Sequence, residues 1–229
     1  MRRKLFMSGV LVACTATIPQ WASAYEAGDL IVRMGAATVA PREDSSALSI
    51  AGVGAIAGSG AGVDDNTQLG ITLTYMLNRN WGLGLLAATP FEHDVDADTG
   101  ALGLGRVDAA SIKHLPPSLT LQYHPLPDNR RFQPYIGAGI NYTTFFSESV
   151  DSELEAVLGN GDLEMDDSWG LALEMGIDVA LDDRWTLNAA IWYLDIDTEA
   201  TFEFDSGVVL DADVDVDPLV YAVNLAYRF

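Results

Sequence analysis

Between Leu219 and Phe229 every second residue is large and apolar. Leu219, Tyr221, Val223, Leu225, Tyr227 and Phe229 alternate with the smaller or polar Val220, Ala222, Asn224, Ala226 and Arg228. Successive side chains of a β-strand point to opposite faces, so this pattern specifies a strand with one greasy face. The stretch from Trp169 to Leu181 repeats it, setting Leu171, Leu173, Met175, Ile177 and Val179 against Gly170, Ala172, Glu174, Gly176, Asp178 and Ala180. Six further segments follow the pattern less cleanly: 30–40, 68–77, 81–91, 118–124, 132–146 and 185–196, giving eight strands in all. Alternation alone fits a soluble sandwich as well as a barrel.

The links between strands separate the two. They run long and short in turn: 41–67 is long, 78–80 short, 92–117 long, 125–131 tight, 147–167 long, 182–184 short and 197–218 long. Outer-membrane barrels have an even number of antiparallel strands, short periplasmic turns and long extracellular loops, and a chain entering from the periplasm puts every short link on that side. Trp81, Tyr123, Phe132, Trp185, Tyr227 and Phe229 stand near the short turns, and Phe91, Tyr142, Phe146, Trp169 and Tyr193 toward the long loops. Two aromatic belts are what membrane interfaces select. The expected fold is all-β, an eight-stranded antiparallel transmembrane β-barrel, with Trp81, Tyr123, Trp169, Trp185, Tyr227 and Phe229 as its interface girdle. Closure leaves no unpaired backbone in lipid, so no apolar helix is required.

Composition agrees with this division. Thirty-three Asp and Glu against 12 Lys and Arg give a net charge of −21, which removes any electrostatic basis for nucleic-acid binding. Yet 49% of residues are hydrophobic, an unusual pairing that requires acidic and apolar residues to be segregated. The acids crowd the presumed external loops: Glu43, Asp44, Asp64, Asp65, Asp94, Asp96, Asp98, Asp151, Glu153, Glu155, Asp166 and Asp167. At the start of the chain, Arg2, Arg3 and Lys4 precede an apolar run from Leu5 to Ile18, and Ala22-Ser23-Ala24 is an A-x-A site. This is a signal peptide over residues 1–24, leaving 25–229 as the barrel. Leu11-Val12-Ala13-Cys14 is lipobox-like, but the better-formed Ala24 site removes Cys14, the single cysteine. The uncharged stretch 45–63 is too rich in Gly, Ala and Ser for a membrane helix.

Eight strands leave a lumen just wide enough for side chains or one small ligand. With Trp81, Leu83 and Leu85 facing lipid, Leu86 faces inward. With Trp185, Leu187, Ala189 and Ile191 outward, so does Trp192. Leu194, Met76 and Ile31 fall on inward phases too, so parity alone gives an apolar constriction or ligand path. Such side chains either gate a route for solutes or simply plug a solid barrel. Leu48, Ile50, Val53, Ile56 and Val63 make the first long link greasier than a solvated loop, either to catch apolar solutes or to pack over the barrel mouth. Asp211, Asp213, Asp215 and Asp217 alternate, with Asp195 and Asp197 expected across the hairpin. Asp213, Asp215 and Asp217 are weak metal candidates, because the run lacks the Gly and distal Glu of a calcium loop and otherwise reads as a solvated edge. No cofactor and no catalytic residue is expected: His93 and His114 fall in presumed loops and His124 near the periplasmic rim, with neither zinc-type spacing nor a Gly-x-Ser-x-Gly elbow.

Three blocks carry a family likeness: Leu115 to His124 (LPPSLTLQYH), Pro134 to Phe146 (PYIGAGINYTTFF) and the ending Tyr227-Arg228-Phe229. Gln68 to Met76, Leu85 to Phe91, Asp167 to Gly170 and Trp192 to Thr198 follow in the same order, and together they resemble the OmpW family of outer-membrane proteins over essentially the whole mature chain. The resemblance implies a narrow eight-stranded barrel with an apolar interior, closed by a Leu and a Trp at the positions of Leu86 and Trp192. It also implies passage of small hydrophobic molecules, with alkane uptake in the AlkL branch. The partners expected are outer-membrane lipid and lipopolysaccharide, a small hydrophobic solute and the outer-membrane assembly machinery that reads a C-terminal aromatic such as Phe229, and no nucleic acid. Release could be lateral, into the bilayer. The alternatives are a structural or stress-response barrel and a surface receptor using the acidic loops.

Overall fold

The computed structural model describes residues 24–42, 44–45, 47, 49–50, 54–98 and 105–229. Residues 1–23 of the expected signal segment, Cys14 among them, and Glu43, Leu48 and Val53 lie outside these residues. In chain order the elements are β1 (Leu30–Ala40), the short β2 (Asp44–Ser45), β3 (Ser49–Ile50), β4 (Gly54–Ala55) and β5 (Gly60–Val63), then β6 (Asn66–Met76), β7 (Trp81–Ala88), β8 (Phe91–Asp98), β9 (Arg106–Leu115), β10 (Ser118–Tyr123) and β11 (Phe132–Val150). They continue with α1 (Ser152–Leu158), β12 (Gly161–Met165), β13 (Ser168–Ala180), β14 (Trp185–Leu194), β15 (Asp197–Phe204), β16 (Val209–Asp215) and β17 (Leu219–Arg228).

Eight of these strands close an antiparallel ring in the order β1, β6, β7, β10, β11, β13, β14, β17 and back to β1. The closing pair runs from Ile31 opposite Arg228 to Ala40 opposite Leu219. Strand exposure alternates as the sequence pattern requires: in β7, Trp81, Leu83 and Leu85 are exposed while Gly82, Gly84 and Leu86 are buried. The exposed set around the ring is Leu, Ile, Val, Met and aromatic, the surface that hydrocarbon rather than water accepts. On β11, Phe132 and Tyr142 bound this band, and ten residues of strand at ~3.3 Å each, tilted by about 40°, span about 25 Å. Trp81 packs on Tyr123 and Trp185 on Tyr227, each with ring centroids 4.9 Å apart, Phe229 adds to Tyr227 at 4.7 Å, and Trp169 meets Tyr142 at 4.7 Å on the opposite rim.

The three short turns share one device. Asn78 Oδ1 accepts from the backbone N–H groups of Asn80 and Trp81, Asn129 Oδ1 from those of Arg131 and Phe132, and Asp182 Oδ1 from those of Arg184 and Trp185. An Asx side chain thus closes each turn and hands the chain to an aromatic residue at the lipid interface.

The long links are not open loops. β8 and β9 form a hairpin, β9 pairs with the outer part of β11, and β5 pairs with β8. A second sheet, in the order β12, β15, β16, β3, β4 with β2 also on β16, faces it. Their inner faces share a core that includes Ile56, Ile112, Leu163, Phe202, Phe204, Leu210 and Val214, with Ile50 packed against it. The greasy first link is therefore packing over the mouth at Ile50 and Ile56. This cap corrects two readings and places a third. His93 and His114 stand on β8 and β9, not in loops. Phe91 is buried rather than turned to lipid, because β7 ends at Ala88 and the bend at Thr89-Pro90 resets the parity before β8 begins. The alternating Asp211, Asp213 and Asp215 are the solvent side of β16, whose other side, Leu210, Ala212 and Val214, is core.

Candidate functional site

The barrel interior is layered. Just inside the external rim, Leu86 of β7, Trp192 and Leu194 of β14, Val39 of β1 and Val220 of β17 pack with Phe91 and Ile196 in one buried apolar cluster. For the five barrel residues this follows from β-strand parity, since each sits one position away from an outward-facing neighbour. Ile31 and Met76, placed by parity in the same constriction, are not part of it. They form a separate periplasmic cluster with Tyr25 and Ala226.

Between the two apolar clusters lies a polar layer that the sequence reading missed. Arg33 Nε and Nη2 donate to Asp178 Oδ1 and Oδ2 at 3.1 and 2.6 Å, and Arg33 Nη1 donates to Thr74 Oγ1 at 2.6 Å. Thr74 donates in turn to Gln122 Oε1 at 3.1 Å, Gln122 Nε2 to Glu174 at 3.0 Å, and Thr120 to the same Glu174 oxygen. Asn188 donates to Asp178 and to the Tyr135 hydroxyl, Asn224 donates to Asn188, and the Tyr25 hydroxyl donates to Asp178. Seven of the eight strands contribute, and β7 contributes room: a Cβ on Gly84 would lie 2.5 Å from Gln122 Nε2 and 2.7 Å from Thr120 Oγ1. Buried charges are tolerable only when paired and fully hydrogen-bonded. The Arg33–Asp178 pair meets that demand, Glu174 is held by the neutral donors Thr120 and Gln122, and together these side chains close the bore. An apolar molecule descending the axis would have to break this network.

The wall beside the outer cluster has an interruption. The ladder between β7 and β10 ends at Leu86 opposite Ser118, and pairing resumes above it with Phe91 of β8 opposite His114 of β9. Residues 87–90 form one edge of the interval and 115–117 the other. Among the described residues no strand pairing crosses it. Pro90, Pro116 and Pro117 have no N–H to donate, so the ladder cannot zip there. Pro117 stays anchored on its other side, where its carbonyl accepts from the Tyr142 N–H at 3.0 Å. Leu86 and Phe91 flank this window from within.

Above the window, the two cap sheets enclose an apolar cavity of about 50 Å³, lined by Val39, Ile112, Phe145, Ile196, Phe202 and Val214 among others, with His93 and His114 as its polar members. The cavity shares Val39 and Ile196 with the outer lumen cluster, so it borders that cluster directly. Both imidazoles lie beyond the outer aromatic rim. Burial pushes the His114 pKa down to about 3 with a further push from His93, and burial also lowers that of His93, so both are neutral at pH 7.

The acidic edge differs from its expected form. The carboxylates of Asp195, Asp197 and Asp217 have oxygens within 4.8 Å of one another, whereas Asp213 and Asp215 are directed to solvent on β16 and do not join them. The mutual repulsion is visible in Asp197, whose pKa is raised by desolvation and by its neighbours Asp195, Asp215 and Asp217.

This closed eight-stranded barrel matches known proteins over most of its length. The OmpW family profile matches residues 26–229. The chain belongs to the OmpW family. Outer membrane protein W of Vibrio cholerae serotype O1 is 42% identical over 90% of this chain and 91% of its own. The crystal structure of the outer membrane protein OprG from Pseudomonas aeruginosa superposes with a TM-score of 0.83 at 44% identity, covering 90% of this chain and 98% of that one. A more distant relative, the dibenzothiophene metabolism operon protein PahQ of Pseudomonas aeruginosa, is 30% identical over 94% of each chain. This OmpW-family protein is accordingly a β-barrel of the bacterial outer membrane, with lipid around its apolar band.

Proposed function

We propose that this OmpW-family barrel admits small hydrophobic molecules from outside, holds them at the apolar cluster around Trp192 and Leu86, and releases them sideways into the bilayer through the proline-edged window. One observation carries the reading: the bore is apolar above and sealed by the Arg33–Asp178 network below, so the low-energy way out of the apolar half is through the wall, not along the axis. The name of the PahQ relative ties that protein to the metabolism of dibenzothiophene, an apolar aromatic, which supports a hydrophobic solute here. The reading is of passage, not catalysis. It includes removal of residues 1–24 on export, assembly machinery recognising Phe229, and lipopolysaccharide as the outer-leaflet neighbour of the acidic cap.

The test is uptake of labelled n-octane by cells lacking their own copy of the protein and supplied with either the wild type or a Leu86→Ala, Trp192→Ala double variant. Passage predicts uptake above the background of cells without the barrel, and faster uptake in the double variant. A barrel with only a structural role leaves both at background.

A further inference from the structure

Just before β1 the chain makes a turn that points its start back into the barrel. The Asp29 N–H donates to the Glu26 carbonyl at 3.2 Å, and Gly28 between them takes a φ of +95°, a conformation that favours glycine. Gly28 donates to the Met76 carbonyl at 2.8 Å and Met76 to that of Asp29 at 2.9 Å, which fastens the turn to the end of β6. The Tyr25 side chain is thereby laid across the periplasmic mouth. It is 5% exposed and packs with Ile31, Met76 and Ala226, and its hydroxyl donates to Asp178 Oδ2 at 2.9 Å. The polar layer and the mouth are joined by that one bond.

Closure also carries a cost. Tyr25 stands edge-on to the His124 imidazole with ring centroids 5.7 Å apart, and Tyr135 stacks on the same imidazole at 5.3 Å. His124 is fully buried, and neither of its ring nitrogens has a hydrogen-bond partner. An imidazole always carries at least one N–H, so the closed mouth leaves a buried donor unmet, whereas water admitted past Tyr25 satisfies it. We infer that Tyr25 is a removable stopper: residues 25–27 swing about Gly28, shutting the periplasmic half of the lumen in one position and admitting water beneath the Arg33–Asp178 layer in the other. Burial of the Tyr25 ring and its bond to Asp178 favour closure, and the unmet imidazole opposes it. With residues 1–24 removed as proposed, the segment ends freely at Tyr25 and withdraws without unpairing a barrel strand. The inference rests on that cleavage and not on the passage of hydrophobic solutes.

The single cysteine, Cys14, lies in the removed segment, so Ile31→Cys in the mature protein reacts at one place. Ile31 is 1% exposed and shares the cluster with Tyr25. The experiment follows labelling of Ile31→Cys by a membrane-impermeant methanethiosulfonate in lipid nanodiscs, with Ala27→Cys as the exposed reference. Ile31→Cys should react, but far more slowly than Ala27→Cys. Adding Tyr25→Ala or Gly28→Val should raise its rate by about tenfold, the worth of one buried hydrogen bond. Gly28→Val acts from open space outside the barrel, so it stands as the test even where Tyr25→Ala fails to assemble. His124→Phe, which keeps an aromatic ring and removes the unmet polar group, should slow the reaction severalfold. Labelling as fast as at Ala27→Cys would mean that nothing shuts the mouth, and no labelling at all would make Tyr25 a fixed plug; either overturns the inference. So does a rate that Gly28→Val leaves unchanged or that His124→Phe fails to slow. Intact mass is the separate check on cleavage: a chain that retains residues 1–24 overturns that reading whatever the labelling rates.

Discussion

Arg33 and Asp178, 145 residues apart in sequence, meet inside the barrel as a two-pronged ion pair with both side chains 1% exposed. The guanidinium comes from β1 and the carboxylate from β13, and Thr74, Asn188 and Tyr25 complete their hydrogen bonds. Removing one partner leaves an uncompensated buried charge, so Arg33→Met should destabilise the barrel by about 3–5 kcal/mol. The pair of changes Arg33→Met and Asp178→Leu should recover most of that loss, since hydrophobic replacement of a buried ion pair is often near neutral. Urea unfolding in lipid vesicles measures both.

Gly176 sits under the ring of Tyr135, where an added Cβ would fall 2.4 Å from the phenol carbon. Gly176→Val should expel that ring, break the 3.1 Å bond from Asn188 to its hydroxyl and open the polar layer. The expected cost is about 1–3 kcal/mol, the range for overpacking, with ion conductance rising in planar bilayers because water enters the bore.

Acid should loosen the cap. The His114 pKa lies at about 3 in the fold against ~6.5 when unfolded. The histidine therefore contributes its stabilisation fully above pH ~6.5 and loses it as pH falls toward 3, at up to about 1.4 kcal/mol per pH unit. Limited proteolysis of the β8–β9 hairpin should accelerate between pH 7 and pH 5. The acceleration should be smaller in His114→Phe, which packs against Phe91 and Phe145 without a titrating group.

The window can be blocked from its own edge, leaving Leu86 and Trp192 unchanged. Ala88 closes β7 at the window's edge and packs partly buried against the outer apolar cluster. Ala88→Trp should lower n-octane uptake at least severalfold while octane still perturbs the Trp192 and Leu194 signals. Unchanged uptake would place the exit elsewhere.

Much of the fold could be read from the chain because lipid and core impose opposite demands on alternate residues. Trp81, Leu83 and Leu85 against Gly82, Gly84 and Leu86 is the same contrast in sequence and in exposure. The cap was not legible. Its strands carry acids on their solvent side, and Asp211, Asp213 and Asp215 read as a solvated edge even though Leu210, Ala212 and Val214 alternate with them. The polar layer was missed for a different reason: Arg33, Thr74, Gln122, Glu174 and Asp178 are each unremarkable on an inward phase, and only register brings them together. Parity likewise gives the face of Ile31 and Met76 but not their depth, which is why both were assigned to a constriction they do not reach. One local signal was available, the Asx residue three positions before Trp81, Phe132 and Trp185.

The most direct test is methyl NMR on the barrel in nanodiscs with a nitroxide-bearing alkane dissolved in the lipid. Paramagnetic broadening should reach the inward methyl groups of Leu86, Leu194 and Ile196 and spare those of Ile31 and Met76 beneath the Arg33–Asp178 layer. Equal broadening at Ile31 and Met76 would mean that the alkane crosses the polar layer along the axis, and would contradict the account.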